Sequence, residues 1–343
     1  MNISALLNTL TTHAFSLPVV ILYVTAGCNL RCITCSFRDP LPNEMRLDEY
    51  RKLARVLAAL GLRHIVFSGG EPLLRKDMPD ICRFFESPDI RQSLLTNGLL
   101  LEKRYPEMHG VFSEIIVSLD GPDAETHNTI RGIRSFDQII RGIRAVLSDA
   151  SRPRISFRTV IQRRNFRSLP AMVEFARSLG VDRISFLAAD VLTDSFNRAN
   201  AGKVVPDEAI LLSPEETVEF KDRIDSMVET HRSDFARNFI SESPKRMKQI
   251  VQYFEAFHGR APFPPTTCNA PMVSTVITST GELLPCYFLP SFGNLRSGSL
   301  GSQLNSDSAT AIRRDVRACV PERCRTCVCT LHISPASALA DRF

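Results

Sequence analysis

Hydrophobic residues along this chain fall into two alternating patterns. Short runs rich in Val, Ile, Leu and Phe are typical of strands in a buried sheet, and there are six of them: residues 19–25, 63–68, 92–96, 114–119, 154–161 and 183–188. Between the runs, apolar residues recur three or four positions apart, as in residues 47–60 and 136–147. This spacing predicts amphipathic helices between the strands.

Helix start and stop signals support the same alternation. Gly61 follows the first helical stretch, while Pro170 opens a third helix that Gly180 closes. A short amphipathic helix is predicted before the first strand, at residues 3–10. Six strand–helix units in series indicate parallel strands with right-handed crossovers. The pattern therefore predicts an α/β fold, either a six-stranded partial barrel or an open doubly wound sheet.

After residue 188 the alternation stops. Residues 190–212 have the composition of a long loop, and the final dozen residues are expected to be loosely ordered. The elements predicted between them are helices near 213–232 and 235–258, a proline-rich linker at 261–265, a hairpin of strands 273–279 and 282–287 around Gly281, and a helix near 308–318. We expect four regions: an N-terminal extension 1–18, a barrel core 19–212, a helical connection 213–260 and a C-terminal domain 261–343.

Composition narrows the class of protein. Of the 343 residues, 44% are hydrophobic and 23% are charged, which is ordinary for a globular protein. The apolar run at residues 17–24 is too short to span a membrane and lacks the flanks of a secretory signal, so we expect a cytoplasmic protein without a membrane span. A net charge of +5 is too small to indicate nucleic acid, but it suits an acidic electron donor or an anionic substrate.

Ten cysteines are unusual in a chain without an export signal. Cytosolic cysteines rarely form structural disulfides, so clustered ones favour metal binding. Cys82 stands alone in an apolar stretch and is interpreted as a buried core residue. The other nine fall into two groups, near the two ends of the chain.

The N-terminal group comprises Cys28, Cys32 and Cys35, directly after the first predicted strand. In a parallel α/β fold this is the end of the strands at which ligands bind. Three thiolates at this spacing can hold three irons of a [4Fe–4S] cluster and leave the fourth iron open to a ligand. A zinc site that recruits His13 or His64 as its fourth ligand is the alternative.

The chain resembles the radical S-adenosylmethionine (SAM) superfamily, whose cysteine motif has this spacing and position. The resemblance continues at the ends of the next strands, through Ser68-Gly69-Gly70-Glu71-Pro72, Thr96-Asn97-Gly98, Ser118-Leu119-Asp120-Gly121, Arg158-Thr159-Val160 and Gly180 to Phe186. The family usually has an aromatic residue just before the third cysteine, where this chain has Thr34, and Phe37 is a candidate substitute. The resemblance implies a partial (βα)6 TIM-like barrel.

The same resemblance implies roles for individual residues. Glu71 would attract the SAM amine, Arg158 would pair with its carboxylate, and Phe186 would lie near the adenine. Ser118 and Asp120 correspond to the ribose-contacting strand. The remaining predicted cofactor contacts are Gly69, Gly70, Pro72 and Asn97.

The resemblance also implies the chemistry. The enzyme would reductively cleave SAM to a 5′-deoxyadenosyl radical that abstracts hydrogen from a substrate, with flavodoxin or ferredoxin as electron donor. The sequence does not identify a catalytic acid or base.

The C-terminal cysteines resemble SPASM and Twitch extensions, which hold auxiliary iron–sulfur clusters in a small α+β domain. Six cysteines are present where a full SPASM domain has seven, so a single auxiliary [4Fe–4S] cluster is expected. The predicted ligands are Cys268, Cys286, Cys324 and Cys327, with Cys319 and Cys329 as alternates. A structural zinc ion on the same thiolates is the alternative.

Three functions remain open from the sequence. The leading hypothesis is a radical SAM enzyme that acts on a small molecule, with a dehydrogenation as the reaction. The second is a peptide- or tetrapyrrole-modifying enzyme, which would recruit its substrate through a partner or through basic residues such as Arg131, Arg134, Arg163 and Arg164. The third is a non-catalytic metal-binding protein.

Overall fold

A computed structural model describes residues 1–191 and 209–343. The chain forms a nine-stranded sheet in the order β6-β5-β4-β3-β2-β1-β7-β8-β9. The strands are β1 (Val19–Thr25), β2 (His64–Gly69), β3 (Arg91–Thr96), β4 (Glu114–Ser118), β5 (Arg154–Ile161), β6 (Arg183–Ala188), β7 (Ser274–Ile277), β8 (Glu282–Leu284) and β9 (Gly293–Asn294). All six strands predicted in the first half of the chain are present.

The first six strands are parallel, and each lies beside its neighbour in sequence. A doubly wound sheet reverses its strand order at a switch point, and this one does not. The sheet is also not closed, so the partial barrel is confirmed. Its carboxyl ends, which carry the predicted site motifs, therefore lie along one rim.

Helices connect the strands and flank the sheet. Along β5, Ile155, Phe157 and Ile161 are fully buried in the core that the helices share, whereas Arg158 and Val160 face the other side and are half-buried. The helices are α1 (Ile3–Leu10), α2 (Leu47–Ala59), α3 (Met78–Arg83), α4 (Leu101–Arg104), α5 (Ala124–Arg131), α6 (Phe136–Leu147), α7 (Leu169–Leu179), α8 (Pro214–Thr230), α9 (Arg232–Ala236), α10 (Pro244–Phe257), α11 (Ala270–Val273), α12 (Leu300–Leu304), α13 (Asp307–Arg317), α14 (Glu322–Arg325) and α15 (Pro335–Leu339).

The C-terminal hairpin extends the barrel sheet. Strand β7 pairs in parallel with β1, and β8 then pairs antiparallel with β7, as predicted for a hairpin around Gly281. The sheet thus runs from the barrel core into the C-terminal region, although the sequence predicted a separate domain from residue 261. The domain boundaries themselves stay predictions.

The second polar helix begins later than predicted. The sequence predicted it from residue 235, but α9 ends at Ala236 and α10 starts at Pro244. Between them the chain lies beside β6, where the Ile184 N–H donates to the Phe239 carbonyl at 2.8 Å and Ser241 N–H donates to the Ile184 carbonyl at 2.9 Å. This stretch pairs with backbone groups at the edge of β6 and places Glu242 beside Phe186.

The expectation of a loosely ordered C-terminus is wrong. Helix α15 packs on α1, and Ala5 and Ala338 at their contact are fully buried. The Asn2 N–H donates to the Leu339 carbonyl at 2.9 Å, and Asp341 pairs with Arg63 at 2.7 Å. The apolar face of the N-terminal helix therefore orders the end of the chain.

Most of the predicted loop at 190–212 lies outside the described residues. In the two ranges that are described, no helix combines the length and the apolar character needed to cross a membrane.

Candidate functional site

The three N-terminal cysteines lie on one loop that leaves the carboxyl end of β1. Hydrogen bonds to Arg38 close this loop: the Cys28 N–H donates to the Arg38 carbonyl at 2.8 Å, and the Arg38 guanidinium donates to the Cys35 carbonyl at 2.9 Å. Cys32 is buried, and Cys28 and Cys35 are half-buried. Burial raises the pKa of the Cys35 thiol to about 11, and the other two cysteines raise it as well.

Gly69 ends β2, and Gly70 after it lies directly against the cysteine loop. The Gly70 N–H donates to the Thr25 carbonyl and the Glu71 N–H to the Gly27 carbonyl, each at 2.8 Å. A β-carbon on Gly70 would lie 2.1 Å from the Gly27 carbonyl oxygen. Only a residue without a side chain permits this approach.

Glu71 is fully buried, and its hydrogen bonds join the turn after β2 to the end of β3. Its carboxylate accepts hydrogen bonds from Leu73 N–H at 3.0 Å, the Thr96 hydroxyl at 2.8 Å and Asn97 N–H at 2.7 Å. Burial raises the pKa of Glu71 to about 6. The Asn97 amide in turn donates to Asn29 in the cysteine loop at 2.7 Å. The predicted contacts of Glu71 and Asn97 with SAM stay predictions, since the structure shows both residues holding the loop.

Asp120, at the end of β4, is paired with an arginine. One carboxylate oxygen lies 2.8 Å from Arg131 Nη2, and the other accepts from the Val160 N–H at 2.9 Å. Burial raises the pKa of Asp120, while Arg131 lowers it. The Arg131 Nη1 lies 3.8 Å from the Cys32 sulfur. The predicted ribose contact of Asp120 stays a prediction, while half-buried Ser118 lies beside Arg158 in the sheet register.

The C-terminal end of α5 is docked on the cysteine loop. The N–H groups of Arg31 and Ile33 donate to the last carbonyls of the helix, at Arg131 (3.0 Å) and Ile130 (3.1 Å). Gly132 follows with a φ of +77°, and a β-carbon there would lie 2.2 Å from the Arg31 carbonyl oxygen. The sequence named Arg131 among the basic residues that would recruit a substrate; the structure packs its side chain, 12% exposed, against Cys32.

Strand β5 turns Arg158 towards the C-terminal cysteines, whereas Phe186 on β6 lies beside Thr159 in the sheet register and packs in the core on the opposite face. Arg158 is half-buried, and its positive charge acts on the pKa values of Glu242, Tyr287 and Cys329. Phe186 is 2% exposed, and its N–H donates to Glu242 at 2.8 Å. Glu242 was missed from the sequence, because nothing in its local pattern shows that residues 239–242 return to the barrel rim.

The C-terminal cysteines form a second group around Cys268. Burial raises the pKa of Cys286 and of Cys324 to about 11, and Cys268 contributes to both shifts. The pKa of Cys327 is raised by burial and then by Cys329, Cys268 and Cys286. The four predicted ligands are therefore electrostatic neighbours, and Cys329 belongs to the same group through Cys327 and Cys268. Of the alternates, Cys319 raises the pKa of Cys324, and Cys329 is exposed, with the charge of Arg158 acting on its pKa.

Two stacked tyrosines lie between the two cysteine groups. The rings of Tyr23, on β1, and Tyr287, next to Cys286, have centroids 5.6 Å apart, and their hydroxyl groups are hydrogen-bonded. Burial raises the pKa of Tyr23, and the neighbouring Tyr287, Cys35 and Cys329 raise it further. Phe37, the candidate substitute for an aromatic at Thr34, packs edge-on against Tyr23 at 5.9 Å.

The donor sets fit iron–sulfur clusters. Each group presents cysteine sulfurs, which are the soft ligands that iron–sulfur clusters take. His64 is not near the first group, since it begins β2 and contacts Ser93 at 2.9 Å, at the opposite end of the strands from Cys28. Among the described residues, no three Cys, His or acidic side chains converge as they would around a single metal ion. Cys82 is fully buried in the core, as predicted.

Two family profiles match the chain. The profile of the radical SAM superfamily matches residues 22–185, and that of an iron–sulfur cluster-binding domain, SPASM, matches residues 268–328. The first range contains the Cys28, Cys32 and Cys35 loop and the carboxyl ends of β1 to β5, and it stops within β6. The second range contains Cys268, Cys286, Cys324 and Cys327.

Similar proteins carry several different names. A Fe-coproporphyrin III synthase of Methanosarcina barkeri is 32% identical over 49% of this chain and 43% of its own length, so the chain matches less than half of that protein. A probable GTP 3′,8-cyclase of Archaeoglobus fulgidus is 29% identical over 77% of this chain and 83% of its own length. The solved structure of anSMEcpe with bound AdoMet has a TM-score of 0.63 at 16% identity, covering 95% of this chain and 96% of that one, which shows a shared fold.

Proposed function

This chain belongs to the radical SAM superfamily and carries a SPASM iron–sulfur cluster-binding domain, and from this we propose that it is a SAM-cleaving enzyme acting on a small molecule. When bound, the clusters and SAM supply electron transfer and the 5′-deoxyadenosyl radical, which abstracts hydrogen from the substrate. The residues of the chain position these groups and the substrate and keep water away from them.

The cysteine loop is the observation that carries this proposal. Cys28, Cys32 and Cys35 supply three ligands. Residues at the ends of β2, β3 and α5 hold the loop by hydrogen bonds, and we assign none of them as a fourth ligand. A cluster with three protein ligands has one iron available for SAM. The turn formed by Gly69, Gly70 and Pro72 lies against the cysteine loop. We assign the binding of the SAM amine to the backbone of this turn.

We assign to Arg158 the binding of the SAM carboxylate. It is half-buried on the inner face of β5, where its guanidinium can form two parallel hydrogen bonds with a carboxylate. Ser118 and Ser185 flank it in the sheet register. The inner face of the barrel at Arg158 would therefore hold the SAM carboxylate, with the adenine near β6.

We assign the auxiliary cluster to Cys268, Cys286, Cys324 and Cys327. Arg158 and Arg246 lie near Cys329 on the barrel side of this group. A substrate between the two cysteine groups would thus meet positive charge, which favours an anionic small molecule. With an electron acceptor on the far side of that space, we propose a dehydrogenation as the reaction.

Modification of a tetrapyrrole is the second candidate. It is favoured by the similarity to a protein named Fe-coproporphyrin III synthase, and tetrapyrrole carboxylates would also suit the arginines. The two candidates differ in a direct binding test. Addition of coproporphyrin III to the protein would shift the porphyrin absorption band if the second candidate is correct, and leave it unchanged if the substrate is of another class.

Formation of 5′-deoxyadenosine tests the proposed function itself. Anaerobically reconstituted protein, reduced with dithionite, is expected to produce 5′-deoxyadenosine from SAM, because dithionite supplies the electron that the cleavage requires. The Cys28→Ala/Cys32→Ala/Cys35→Ala variant is the matched control and should produce none. Failure of fully reconstituted wild-type protein would instead favour a non-catalytic metal-binding protein.

A further inference from the structure

A buried chain of contacts leads from the cysteine loop to the end of β4. The Cys32 sulfur lies 3.8 Å from Arg131 Nη1, and Arg131 Nη2 lies 2.8 Å from an Asp120 oxygen. The Val160 N–H donates to the other Asp120 oxygen at 2.9 Å. The Asp120 side chain is 2% exposed and that of Arg131 is 12% exposed, so solvent screens neither charge well.

The Arg131 guanidinium is not needed to fasten the loop. The backbone carbonyls of Ile130 and Arg131 already accept hydrogen bonds from Ile33 and Arg31. The guanidinium is buried at a cost, since its Nε–H has no hydrogen-bond partner in the structure. Two nearby arginines are oriented differently: Arg31 donates to the Cys28 and Leu30 carbonyls, and Arg38 donates to carbonyls of its own loop.

A fixed positive charge beside a cluster sulfur has a defined electrostatic effect. Reduction adds one negative charge to the cluster, and a nearby cation stabilises the reduced form more than the oxidised form. Arginine suits this role because it stays protonated when buried. A carboxylate behind the arginine acts in the opposite direction and offsets part of its effect.

We propose that Arg131 and Asp120 are positioning residues that set the reduction potential of the cluster held by Cys28, Cys32 and Cys35. Arg131 raises the potential through its contact with Cys32, and Asp120 lowers it by neutralising Arg131. This inference rests on the proposed function, because it requires a redox-active cluster at these cysteines. It goes beyond that function by assigning to this buried pair the control of how readily the cluster accepts an electron.

A redox titration monitored by electron paramagnetic resonance tests the pair without an activity assay. In Arg131→Met, the ratio of reduced to oxidised cluster at a fixed potential is expected to fall about tenfold, a shift of ~59 mV for a one-electron couple. In Asp120→Asn the ratio should rise, because the arginine charge is no longer offset. Arg131→Lys keeps the charge and should lie between wild type and Arg131→Met.

The opposite directions distinguish an electrostatic role from a structural one. Loss of packing in either variant would disturb the loop in the same way, so shifts in the same direction would overturn the inference, as would unchanged potentials in both. Arg134→Met, which removes an exposed charge three residues away, should leave the potential unchanged. If Arg131→Met does not hold a cluster, Asp120→Asn decides between the outcomes. If wild-type protein holds no cluster at these cysteines, the proposed function fails as well.

Discussion

At the scale of single residues, the tightest point of the site is the contact between Gly70 and the Gly27 carbonyl. A methyl group on Gly70 would meet backbone at 2.1 Å, and neither chain segment can move without breaking the hydrogen bonds that join them. We expect Gly70→Ala to lower stability by roughly 3 kcal/mol and to reduce the iron bound at the first site. Gly301→Ala is the control, because its β-carbon meets nothing within 4 Å. Thermal unfolding and iron content measure both effects, and equal behaviour of the two variants would contradict the contact.

Glu71 gives a pH dependence with a defined sign. Its pKa is about 6 in the folded protein against an ordinary value of 4.5, because burial disfavours the charged form. The folded state therefore holds the proton more tightly, and the stabilisation from this protonation is complete below pH 4.5 and lost as the pH rises through 6. The unfolding free energy of wild type, measured relative to that of Glu71→Gln, should therefore fall by about 2 kcal/mol as the pH rises from below 4.5 to above 6. A difference that is constant with pH would show that Glu71 is not buried in this way.

At the scale of elements, an ion pair joins the exit of β6 to the C-terminal cysteines. Asp190 lies two residues after β6, and both its oxygens contact Arg323 of α14, at 2.8 and 2.9 Å. Arg323 precedes Cys324 and lies over the Phe288 ring at 5.0 Å. This contact fixes the second cysteine group relative to the barrel rim.

Removing one partner of this pair should cost more than removing both. We expect Arg323→Met to destabilise the protein by roughly 3 kcal/mol, because the Asp190 carboxylate is 3% exposed and loses its guanidinium. The Asp190→Asn/Arg323→Met variant should recover part of that loss. Denaturant unfolding of the two single variants and the double variant gives the coupling energy, and additive effects would mean that the pair does not connect the two regions.

The elements also show where sequence reasoning succeeds. The bounds of β1, β5 and β6 were predicted correctly, because buried parallel strands are short apolar runs that stand out from amphipathic helices. The start of α10 was predicted nine residues too early, since only tertiary pairing with β6 keeps residues 239–241 out of a helix. Arg131 was predicted to recruit a substrate, and its contact with Cys32 was missed for the same reason: its burial depends on a cysteine loop about a hundred residues earlier in the chain.

At the scale of the whole molecule, one sheet connects the two cysteine groups. The first group leaves the end of β1, and β7 lies beside that strand and leads through the hairpin to Cys286. The Tyr23–Tyr287 stack joins β1 to the residue that follows Cys286. The order of the motifs predicted the barrel, but it gave no sign that the C-terminal region would continue the same sheet, because strand neighbours depend on long-range pairing.

Iron content tests the assignment of two separate groups. Replacing Cys268, Cys286, Cys324 and Cys327 together by alanine should lower the bound iron from about eight to about four atoms per chain. Cys82→Ala is the matched control, because this thiol is buried in the core away from both groups. Cys329→Ala should also leave the iron content unchanged. A loss of iron in Cys329→Ala would show that this residue, rather than one of the four, completes the second site.

The central claim is that Cys28, Cys32 and Cys35 hold a cluster whose open iron binds SAM. The most direct measurement is the electron paramagnetic resonance spectrum of the reduced protein with and without SAM, in the variant that lacks the four C-terminal cysteines. We expect one cluster signal, which changes on addition of SAM and disappears when Cys32→Ala is added. A cluster signal that SAM leaves unchanged would contradict the account.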